Sequence, residues 1–512
     1  MLCKYYIYVT LIVSCLSPLL AENIMMTRIF KTVYLCLYMS FTFVQASDKP
    51  NIVVLFADDM GIGEVKSLNP ERGKILTTNI DQLARTGITF TDAHTASSVC
   101  TPSRYALLTG RYAWRTRLQS GVTTGYADPL IADDQLTLAK MLKTEGYRTA
   151  ISGKWHLNFN YYFEGKKLLK PKNKQSPPIN SYIPDGPISR GFDEYFGFHH
   201  ARDMQTLIHN DRVIEHINVV DMLPRTTEYA VDFINKNASN AKNGKPFFLY
   251  MAFGSPHTPI VPSKEWIGKS GLGKYGDFVM MTDAMVGKIV DAIDKAGLSK
   301  DTLIIFSSDN GTSKAADVKS LIEQGHYPSA HLRGLKSDLW EGGHRVPFIL
   351  RWPAKQGNGN RIQKGLIGLT DVFATLADIL EVKLDHHQGE DSISFYPLIK
   401  GEDAQSARHA IVHHSIYGKF SIRQGNWKLL LAPGSGGWST PNDKQAKQQK
   451  MPKVQLYNLS TDVSERTNIA QQYPAKVTEL INLLKDYVNN GRSTQGPILK
   501  NDTQVDIWKD NL

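Results

Sequence analysis

A single cysteine in an unusual setting is the residue of this sequence best placed to do chemistry. Cys100 lies in residues 98–104, Ser-Val-Cys-Thr-Pro-Ser-Arg, and it is the only cysteine after residue 46. It then has no partner for an intramolecular disulfide, and the proline two residues on predicts that a helix begins here. A helix N-terminus attracts anions, and Arg104 would share the helix face of Cys100. The alternative is an inert buried thiol, so the neighbours decide between the two interpretations.

Hard oxygen ligands follow two of the predicted strands. Asp58 and Asp59 come after the first strand, and Asp309 and Asn310 come after a later one. Adjacent carboxylates repel each other and therefore favour a cation between them. Three carboxylates and an amide oxygen are typical of Ca²⁺ or Mg²⁺ sites, and the flexible mixed set favours Ca²⁺. An exposed Asp-Asp-x-Gly turn is the alternative for the first pair.

Four further residues with acid, base or anion-binding chemistry also follow predicted strands or lie among glycines. Lys154 and His156 come after one strand, His257 comes after another, and Lys336 lies in the glycine-containing segment 331–347. Each residue taken singly is ordinary for a loop. In a parallel sheet, however, the segments after the strands meet at one edge, where ligands bind. The shared placement therefore indicates one site.

The strands that must position these residues are continuous apolar runs at 51–56, 246–252 and 302–306. Such runs are typical of strands buried on both faces. Amphipathic stretches at 136–145 and 278–296 predict helices between them. Strands that alternate with helices predict an α/β domain, in which helices cover both faces of a mostly parallel sheet.

The pattern changes after about residue 380 to short apolar runs followed by one helical stretch. These runs and the stretch are 410–412, 420–423, 427–431, 454–457 and then 474–489. Short, closely spaced runs predict an antiparallel sheet, here with one helix. We therefore predict a main domain at 47–380 and a smaller α+β subdomain at 381–512.

The N-terminal region is predicted to direct export. Residues 1–46 contain two short apolar segments, each with a basic residue before it, which is the pattern of a signal peptide rather than a stable membrane span. We expect the true start at Met25 or Met26 and cleavage after Ala46, which predicts a periplasmic or secreted protein. Lipid anchoring at Cys15 is the alternative if Met1 is the start.

The charge balance suggests a polyanionic partner. The 512-residue chain has 59 Lys and Arg against 49 Asp and Glu, a formal net charge of +10. It contains no basic stripe interleaved with aromatic residues and no recognisable nucleic-acid module, so we expect no nucleic-acid partner. A sulfated polysaccharide is the better match for an exported basic protein.

Together these segments resemble the motifs of the type I sulfatases, in the family's order and over essentially the whole mature chain. In that family the Cys-x-Pro-x-Arg sequence is recognised by a formylglycine-generating maturation enzyme, which oxidises the cysteine. The resemblance implies an alkaline-phosphatase-like α/β fold. It implies Ca²⁺, or Mg²⁺, bound by Asp58, Asp59, Asp309, Asn310 and an oxygen of modified Cys100. It places in the catalytic pocket Arg104, Lys154, His156, His257 and Lys336.

The resemblance also implies a mechanism and a class of substrate. Hydrated formylglycine would attack the sulfur, His257 would protonate the leaving oxygen, and a base near His156 would release sulfate. The branch with arylsulfatases and N-acetylgalactosamine-6-sulfatase implies exolytic action on sulfated carbohydrates, with 6-O-sulfated galactose or N-acetylgalactosamine as candidates. The expected sugar contacts are His199, His200 and Arg202; histidines packed on the sheet rim are the alternative.

Two other functions remain open at the level of sequence. A phosphatase, phosphodiesterase or phosphonate hydrolase of the same fold would commonly use Ser or Thr with two zinc ions and more metal-binding histidines. A non-catalytic binder of sulfated glycans would be expected to lose some of the nucleophile, acid or metal ligands. Here all of them are present, and His156 and His257 stand beside lysines, which favours one hard cation.

Overall fold

The computed structural model describes residues 49–170, 175–357, 359–401 and 408–509, which belong to one compact unit. The predicted signal region lies outside the described residues, so export, the cleavage after Ala46 and the alternative at Cys15 stay predictions. The boundary at residue 380 likewise stays a prediction. None of the described helices combines the length and the apolar character needed to cross a lipid bilayer.

The described residues contain eighteen strands and twelve α-helices. The strands are β1 (Asn51–Asp58), β2 (Ile88–Phe90), β3 (Ala93–His94), β4 (Arg148–Lys154), β5 (Tyr162–Phe163), β6 (Lys166–Lys167), β7 (Glu194–Phe198), β8 (Thr206–His209), β9 (Arg212–His216), β10 (Phe247–Pro256), β11 (Thr302–Ser308), β12 (Phe348–Arg351), β13 (Arg361–Gln363), β14 (Ile367–Gly368), β15 (Ala410–His414), β16 (Phe420–Gln424), β17 (Trp427–Leu430) and β18 (Gln455–Asn458). The helices are α1 (Thr78–Thr86), α2 (Cys100–Thr109), α3 (Leu138–Thr144), α4 (Val219–Lys242), α5 (Gly273–Lys295), α6 (Val318–Glu323), α7 (Glu341–His344), α8 (Pro353–Gln356), α9 (Asp371–Ile379), α10 (Tyr396–Lys400), α11 (Asp443–Gln448) and α12 (Pro474–Asn489).

The large sheet is parallel at its centre, and on each side of the centre lie antiparallel pairs, β12 with β11 and β2 on one side and β8 with β7 and β9 on the other; the edge strand β13 is parallel to β2. Its order is β13-β2-β12-β11-β1-β10-β4-β7-β8-β9. β1 pairs in parallel with β10 and β11, and β4 pairs in parallel with β10 and β7. The three long apolar runs therefore form neighbouring central strands, as predicted for strands buried on both faces.

Alternate residues of β1 face two different cores. Ile52, Val54 and Phe56 pack in the cluster that contains residues of α2, α3 and α9, whereas Val53 and Leu55 pack in the cluster that contains residues of α1, α4 and α5. This is the period-two alternation of a strand with apolar partners on both sides. The predicted α/β fold with helices on both faces is confirmed.

The C-terminal sheet is a separate antiparallel layer of four strands, β15-β16-β17-β18. Helix α12 packs on it through Leu480 and Leu484, against Ile422 and Leu429 of the sheet. The predicted antiparallel sheet with one long helix is confirmed, and the structure adds the short helix α11. Trp114, which follows α2, lies in the same apolar cluster, so this sheet is anchored close to the helix that carries Cys100.

Candidate active site

The residues predicted to do chemistry lie at one edge of the large sheet. β1, β4, β10 and β11 run in the same direction, so their carboxyl ends share that edge. β1 ends at Asp58 and β4 ends at Lys154, and both side chains are completely buried. The positions of these groups thus follow from strand direction, as in other sheets of this kind.

Cys100 is the first residue of α2, as the proline after it predicts. Val99 before it is extended, and Pro102 occupies the first turn. The Sγ atom lies 3.3 Å from the Lys336 Nζ atom and 3.8 Å from the Asp59 Oδ1 atom. Lys336 also donates to the Asp59 carboxylate at 2.5 Å. Burial raises the pKa of the Cys100 thiol well above its ordinary value, and nearby carboxylates add to the effect.

Two further cations contact the two other carboxylates. The Lys154 Nζ atom lies 2.6 Å from the Asp58 Oδ2 atom. Arg104 donates from Nη2 and Nε to the Asp309 Oδ2 atom at 2.8 and 3.1 Å. The Asp59 backbone N–H donates to the other Asp309 oxygen at 3.0 Å. Because water is excluded, these charge pairs interact far more strongly than surface pairs would.

The crowded carboxylates differ in how readily they ionise. Burial alone would raise the pKa of Asp58, but Lys154 and the other nearby cationic groups hold it well below its ordinary value. Burial, and then the charge of Asp58, raise the pKa of Asp309 to about 7 in spite of Arg104. Such divergence of pKa values is typical of carboxylates that share one site.

A divalent cation fits this arrangement. The Asp58 Oδ1 and Asn310 Oδ1 atoms are buried and accept no hydrogen bond, which is costly for a polar atom unless a ligand is bound there. Asp58, Asp59, Cys100 and His257 each offer a ligand atom within 4.8 Å of the others. Carboxylate and amide oxygens are the donors that Ca²⁺ and Mg²⁺ prefer. The residues that would hold the ion are Asp58, Asp59, Asp309, Asn310 and residue 100.

His257 lies at the open side of the cluster. Its Nε2 atom is 3.6 Å from the Asp59 Oδ2 atom, and its side chain keeps 16% of its surface exposed. The Nδ1 atom makes a 2.5 Å hydrogen bond with the Thr258 carbonyl oxygen. Burial lowers the pKa of His257 from its ordinary value, although Asp59 and Asp58 oppose the effect. A ring that is held through Nδ1 and keeps Nε2 at the cluster rim is in position to transfer a proton there.

His156 contacts the first turn of α2 through its backbone. Its carbonyl oxygen accepts the hydroxyl of Thr101, the residue after Cys100, at 3.1 Å. The Nε2–H group donates to the Thr123 carbonyl oxygen at 3.0 Å, which leaves Nδ1 as a buried lone pair without a partner. Burial, then Lys154, lower the pKa of His156 well below its ordinary value, so the ring is neutral as a base must be.

The three predicted sugar contacts follow β7. His199 is completely buried, and its Nε2 atom accepts the Asn158 N–H at 3.1 Å. The His200 ring stacks edge-on against His156 with centroids 4.5 Å apart, and its Nδ1 atom accepts the Arg202 N–H. His200 keeps 7% of its surface exposed. The roles of all three residues in sugar binding stay predictions.

A second buried group of ionisable residues lies between the main sheet and the C-terminal sheet. We call His94, His344, His413, Glu341 and Lys428 the histidine cluster. The three histidines offer ligand atoms within 4.8 Å of one another. The rings of His344 and His413, however, are stacked 3.7 Å apart at 13°. The lone pairs of a histidine lie in its ring plane, so two parallel stacked rings cannot both point at one metal ion.

The structure brings most of the predicted catalytic and metal-binding residues into direct contact, from segments far apart in the sequence. Those joined in this way are Asp58, Asp59, Cys100, Arg104, Lys154, His257, Asp309, Asn310 and Lys336. His156 is linked only through its backbone. Thr123 could not be predicted from the sequence, because an isolated loop threonine gives no signal for its contact with His156.

Comparison with known proteins gives a consistent result. Residues 50–382 match the family model described as Sulfatase. The N-acetylgalactosamine-6-O-sulfatase of Bacteroides thetaiotaomicron is 33% identical over 86% of this chain and 93% of its own length. Arylsulfatase A of Bos taurus is 30% identical over 86% of this chain and 87% of its own length.

A solved structure resembles the fold as a whole. It comes from work on the metabolism of multiple glycosaminoglycans by Bacteroides thetaiotaomicron, with a TM-score of 0.74 and 31% identity. The similarity covers 86% of this chain and 99% of that chain. It extends over both the large sheet and the C-terminal sheet, which agrees with the predicted alkaline-phosphatase-like architecture.

Proposed function

Because this chain belongs to the sulfatase family, we propose that it hydrolyses O-sulfate groups of sulfated carbohydrates through a formylglycine made from Cys100. Its class is thus sulfuric ester hydrolase. The observation that carries the proposal is the contact of Cys100 with Lys336 and Asp59 at the start of α2, among buried oxygen atoms that lack partners. A phosphatase of this fold would offer more histidine ligands than the one found in this group.

The anion clamp consists of Arg104, Lys154 and Lys336. Their charges balance those of the three carboxylates they contact, Asp58, Asp59 and Asp309. Ca²⁺, or Mg²⁺, held by those carboxylates and Asn310, would supply Lewis-acid charge that offsets the charge of the sulfate. Lys154 and Lys336 end in compact ammonium groups on flexible stems, so they can exchange a carboxylate for a sulfate oxygen. Fixed cations in a dry site lower the cost of developing charge.

The nucleophile and the proton transfers fall to three positions. Formylglycine at position 100, once hydrated, would supply the attacking oxygen and a second hydroxyl through which sulfate is released. His257 protonates the leaving sugar oxygen, since it is the ring at the exposed rim of the cluster. His156 has an unpartnered Nδ1 lone pair, its ring is within the influence of the Lys154 and Arg104 charges, and it acts as the base for the release step.

The decisive test of the mechanism is the chemical state of residue 100. We would express the protein with and without a formylglycine-generating enzyme and measure the mass of the peptide that contains Cys100. Activity on a sulfated sugar should rise in proportion to the fraction of aldehyde. Full turnover in a preparation that contains only cysteine would refute the proposal. Metal analysis of the active preparation should give one Ca²⁺ or Mg²⁺ per chain, whereas two zinc ions would favour the phosphatase interpretation.

The proposed substrate is a sugar sulfated at O6 at the non-reducing end of a chain. The Bacteroides relative named as an N-acetylgalactosamine-6-O-sulfatase supports it. We would compare release of sulfate from 6-O- and 4-O-sulfated N-acetylgalactosamine and galactose, and from oligosaccharides against the intact polymer. Preference for the 4-O-sulfated sugars would refute the position. Equal rates on polymer and oligosaccharides would refute exolytic action.

Export to the periplasm or the medium is proposed from the sequence of residues 1–46 alone. The transient partner during maturation would be the formylglycine-generating enzyme. The mass of the mature N-terminus tests export: it should begin at Ser47. A lipidated Cys15 would support the alternative anchor instead.

A further inference from the structure

A buried carboxylate lies behind the active site, and we propose that Glu64 is a positioning residue that holds the two metal-binding loops in register. We call Glu64, Tyr275, Thr312 and His326 the Glu64 hub. The Oε1 atom accepts the hydroxyls of Tyr275 at 2.8 Å and Thr312 at 2.9 Å, and the Oε2 atom lies 2.8 Å from the His326 Nε2 atom. The proposal rests on the metal site of the proposed function.

The hydrogen bonds of the Glu64 hub determine which atom donates in each contact. The Lys74 N–H donates to the His326 Nδ1 atom at 3.0 Å, so Nδ1 carries no hydrogen and Nε2–H donates to Glu64. The Glu64 and His326 side chains are completely buried. The carboxylate therefore accepts three hydrogen bonds from fixed donors, and this leaves one orientation for each group.

The hub connects the loops after β1 and β11. Three successive amides, those of residues 59–61, donate to side chains of the second loop at 3.0 Å each, namely to Asp309, Ser308 and Thr312. The third bond requires the Thr312 hydroxyl to direct its hydrogen elsewhere. Glu64 accepts that hydrogen, and so the oxygen is free to accept the Gly61 N–H.

The same threonine also fixes a catalytic lysine. The Thr312 carbonyl oxygen accepts the backbone N–H of Lys336 at 3.0 Å. The two loops approach each other closely at this point: a Cβ atom at Gly61 would lie only 2.5 Å from the Thr312 Oγ1 atom. One threonine therefore links the two metal-binding loops through its hydroxyl group and the segment that carries Lys336 through its carbonyl oxygen.

The loop after β1 needs this support. Asp59 has a φ of 66°, a left-handed conformation that non-glycine residues seldom adopt. Such a conformation persists only when the surrounding structure holds it. Three hydrogen bonds donated by backbone amides hold this conformation. Two of them are accepted by Asp309 and Ser308, and the third, accepted by Thr312, depends on the Glu64 hub.

Glu64→Gln tests the role with little change in shape. The amide can face Tyr275 and Thr312 with its oxygen, but its NH₂ group then meets the Nε2–H of His326. The other histidine tautomer would place a hydrogen against the Lys74 N–H, so one donor is left unpaired in either case. We expect Ca²⁺ affinity to fall by up to about 10-fold, at the lower end of the effect of losing a direct partner of a metal ligand, because Glu64 acts through Thr312 and the Gly61 amide.

Two readouts separate positioning from simple stability. Calorimetry measures Ca²⁺ binding without turnover, and hydrogen exchange of the metal-free protein measures protection of the amides at 59–61. Asp283→Asn is the matched control: this buried carboxylate on α5 likewise accepts only neutral donors, the N–H groups of Asn79 and Ile80 and the Asn79 side chain. It contacts neither metal-binding loop in these bonds.

The proposal predicts several-fold faster exchange at 59–61 and weaker Ca²⁺ binding in Glu64→Gln, with neither change in Asp283→Asn. Equal changes in both variants, or wild-type behaviour of Glu64→Gln, would overturn it. If the wild-type chain binds no Ca²⁺, the metal in the proposed function fails and the exchange result alone decides the role of Glu64. Should Glu64→Gln not fold, Tyr275→Phe removes one donor and must show the same changes to a smaller degree.

Discussion

The active-site cluster and the histidine cluster are both buried groups of charged side chains, yet they differ in which buried polar atoms lack a hydrogen-bond partner. In the active site the Asp58 Oδ1 and Asn310 Oδ1 atoms have no hydrogen-bond partner. In the histidine cluster Lys428 lies 2.9 Å from Glu341 and 2.8 Å from Glu465. Both groups pair their charges within the protein. The active site leaves two oxygen atoms of neighbouring loops without a hydrogen bond, whereas the histidine cluster leaves the His413 Nε2 nitrogen, and the Glu465 Oε1 atom beside it has only the ion pair with Lys428.

The pKa shifts do not distinguish the two groups. Each has a carboxyl group whose pKa burial raises to about 7, Asp309 or Glu465, and one whose pKa nearby cations hold well below its ordinary value, Asp58 or Glu341. Burial would also raise the pKa of Asp92 beside the histidine cluster, but His94 and two arginines hold it well below its ordinary value. One of them, Arg423, contacts both Asp92 oxygens at 2.7 Å. A carboxylate paired in this way has little capacity left for a cation, so charge alone does not identify a metal site.

The largest effect is expected from Cys100→Ala. Loss of the nucleophile should lower kcat by at least about 10³-fold, because residues that act as a unit fail together. The free energy of unfolding should change by only about 1 kcal/mol, since one buried atom is removed. Steady-state kinetics and thermal unfolding measure the two quantities. A variant that keeps a tenth of its activity would show that the cluster does not act through residue 100.

Lys428→Met should produce the opposite result. It removes the cation between Glu341 and Glu465 and leaves Glu465 buried without an ion pair, although Arg345 still lies 3.3 Å from Glu341. The free energy of unfolding should therefore fall by about 3–5 kcal/mol. Activity per folded molecule should be unchanged. The control is Lys319→Met, which removes an exposed pair with Glu323 and should cost under about 1 kcal/mol. Loss of kcat at unchanged stability would show that the histidine cluster belongs to the catalytic machinery.

The sequence was informative where chemistry leaves a motif. Asp58, Asp59, Asp309 and Asn310 were found because each pair ends an apolar strand, and strand direction then brought the pairs together. The predicted helical stretch at 474–489 has the bounds of α12, and Pro474 stands in its first turn, where proline is tolerated.

The histidine cluster and the Glu64 hub could not be predicted in the same way. Their members come from separate segments, and a lone histidine or glutamate gives no signal for which distant loop it contacts. His344 follows two glycines in segment 331–347, and nothing at that position indicates its partners. Its stacking on His413 depends on where the C-terminal sheet docks, which is a property of tertiary packing.

A smaller and more selective effect is expected from His257→Ala. The alkoxide of a sugar needs a proton to leave, whereas a nitrophenolate is already a stable anion. Activity on a sulfated sugar should fall by about 10²-fold or more, and activity on a nitrophenyl sulfate by under about 10-fold. Rates for both substrates would be measured on the same preparation. Equal losses would assign His257 to binding rather than to proton transfer.

The smallest effect concerns the pH dependence of stability. Burial, then His94 and Lys428, lower the pKa of His413 well below its ordinary value of 6.5, and burial does the same for the stacked His344. The unfolded chain therefore binds more protons below pH 6.5. Stability is fully present above pH 6.5 and falls as the pH drops, by up to about 1.4 kcal/mol per pH unit for each such histidine.

His413→Asn tests this dependence at one position. Its amide can still donate to the Thr95 carbonyl oxygen that His413 contacts at 2.8 Å. Denaturant unfolding between pH 5 and 8 should then show a shallower loss of stability below pH 6.5, with a constant difference from the wild type above it. The slope should decrease by about the full amount for one group, because burial, His94 and Lys428 keep His413 neutral in the folded state. An unchanged slope would mean that protonation of the histidine cluster does not limit acid stability. The ion pairs of Lys428 would then hold the C-terminal sheet in place even when the histidines are charged.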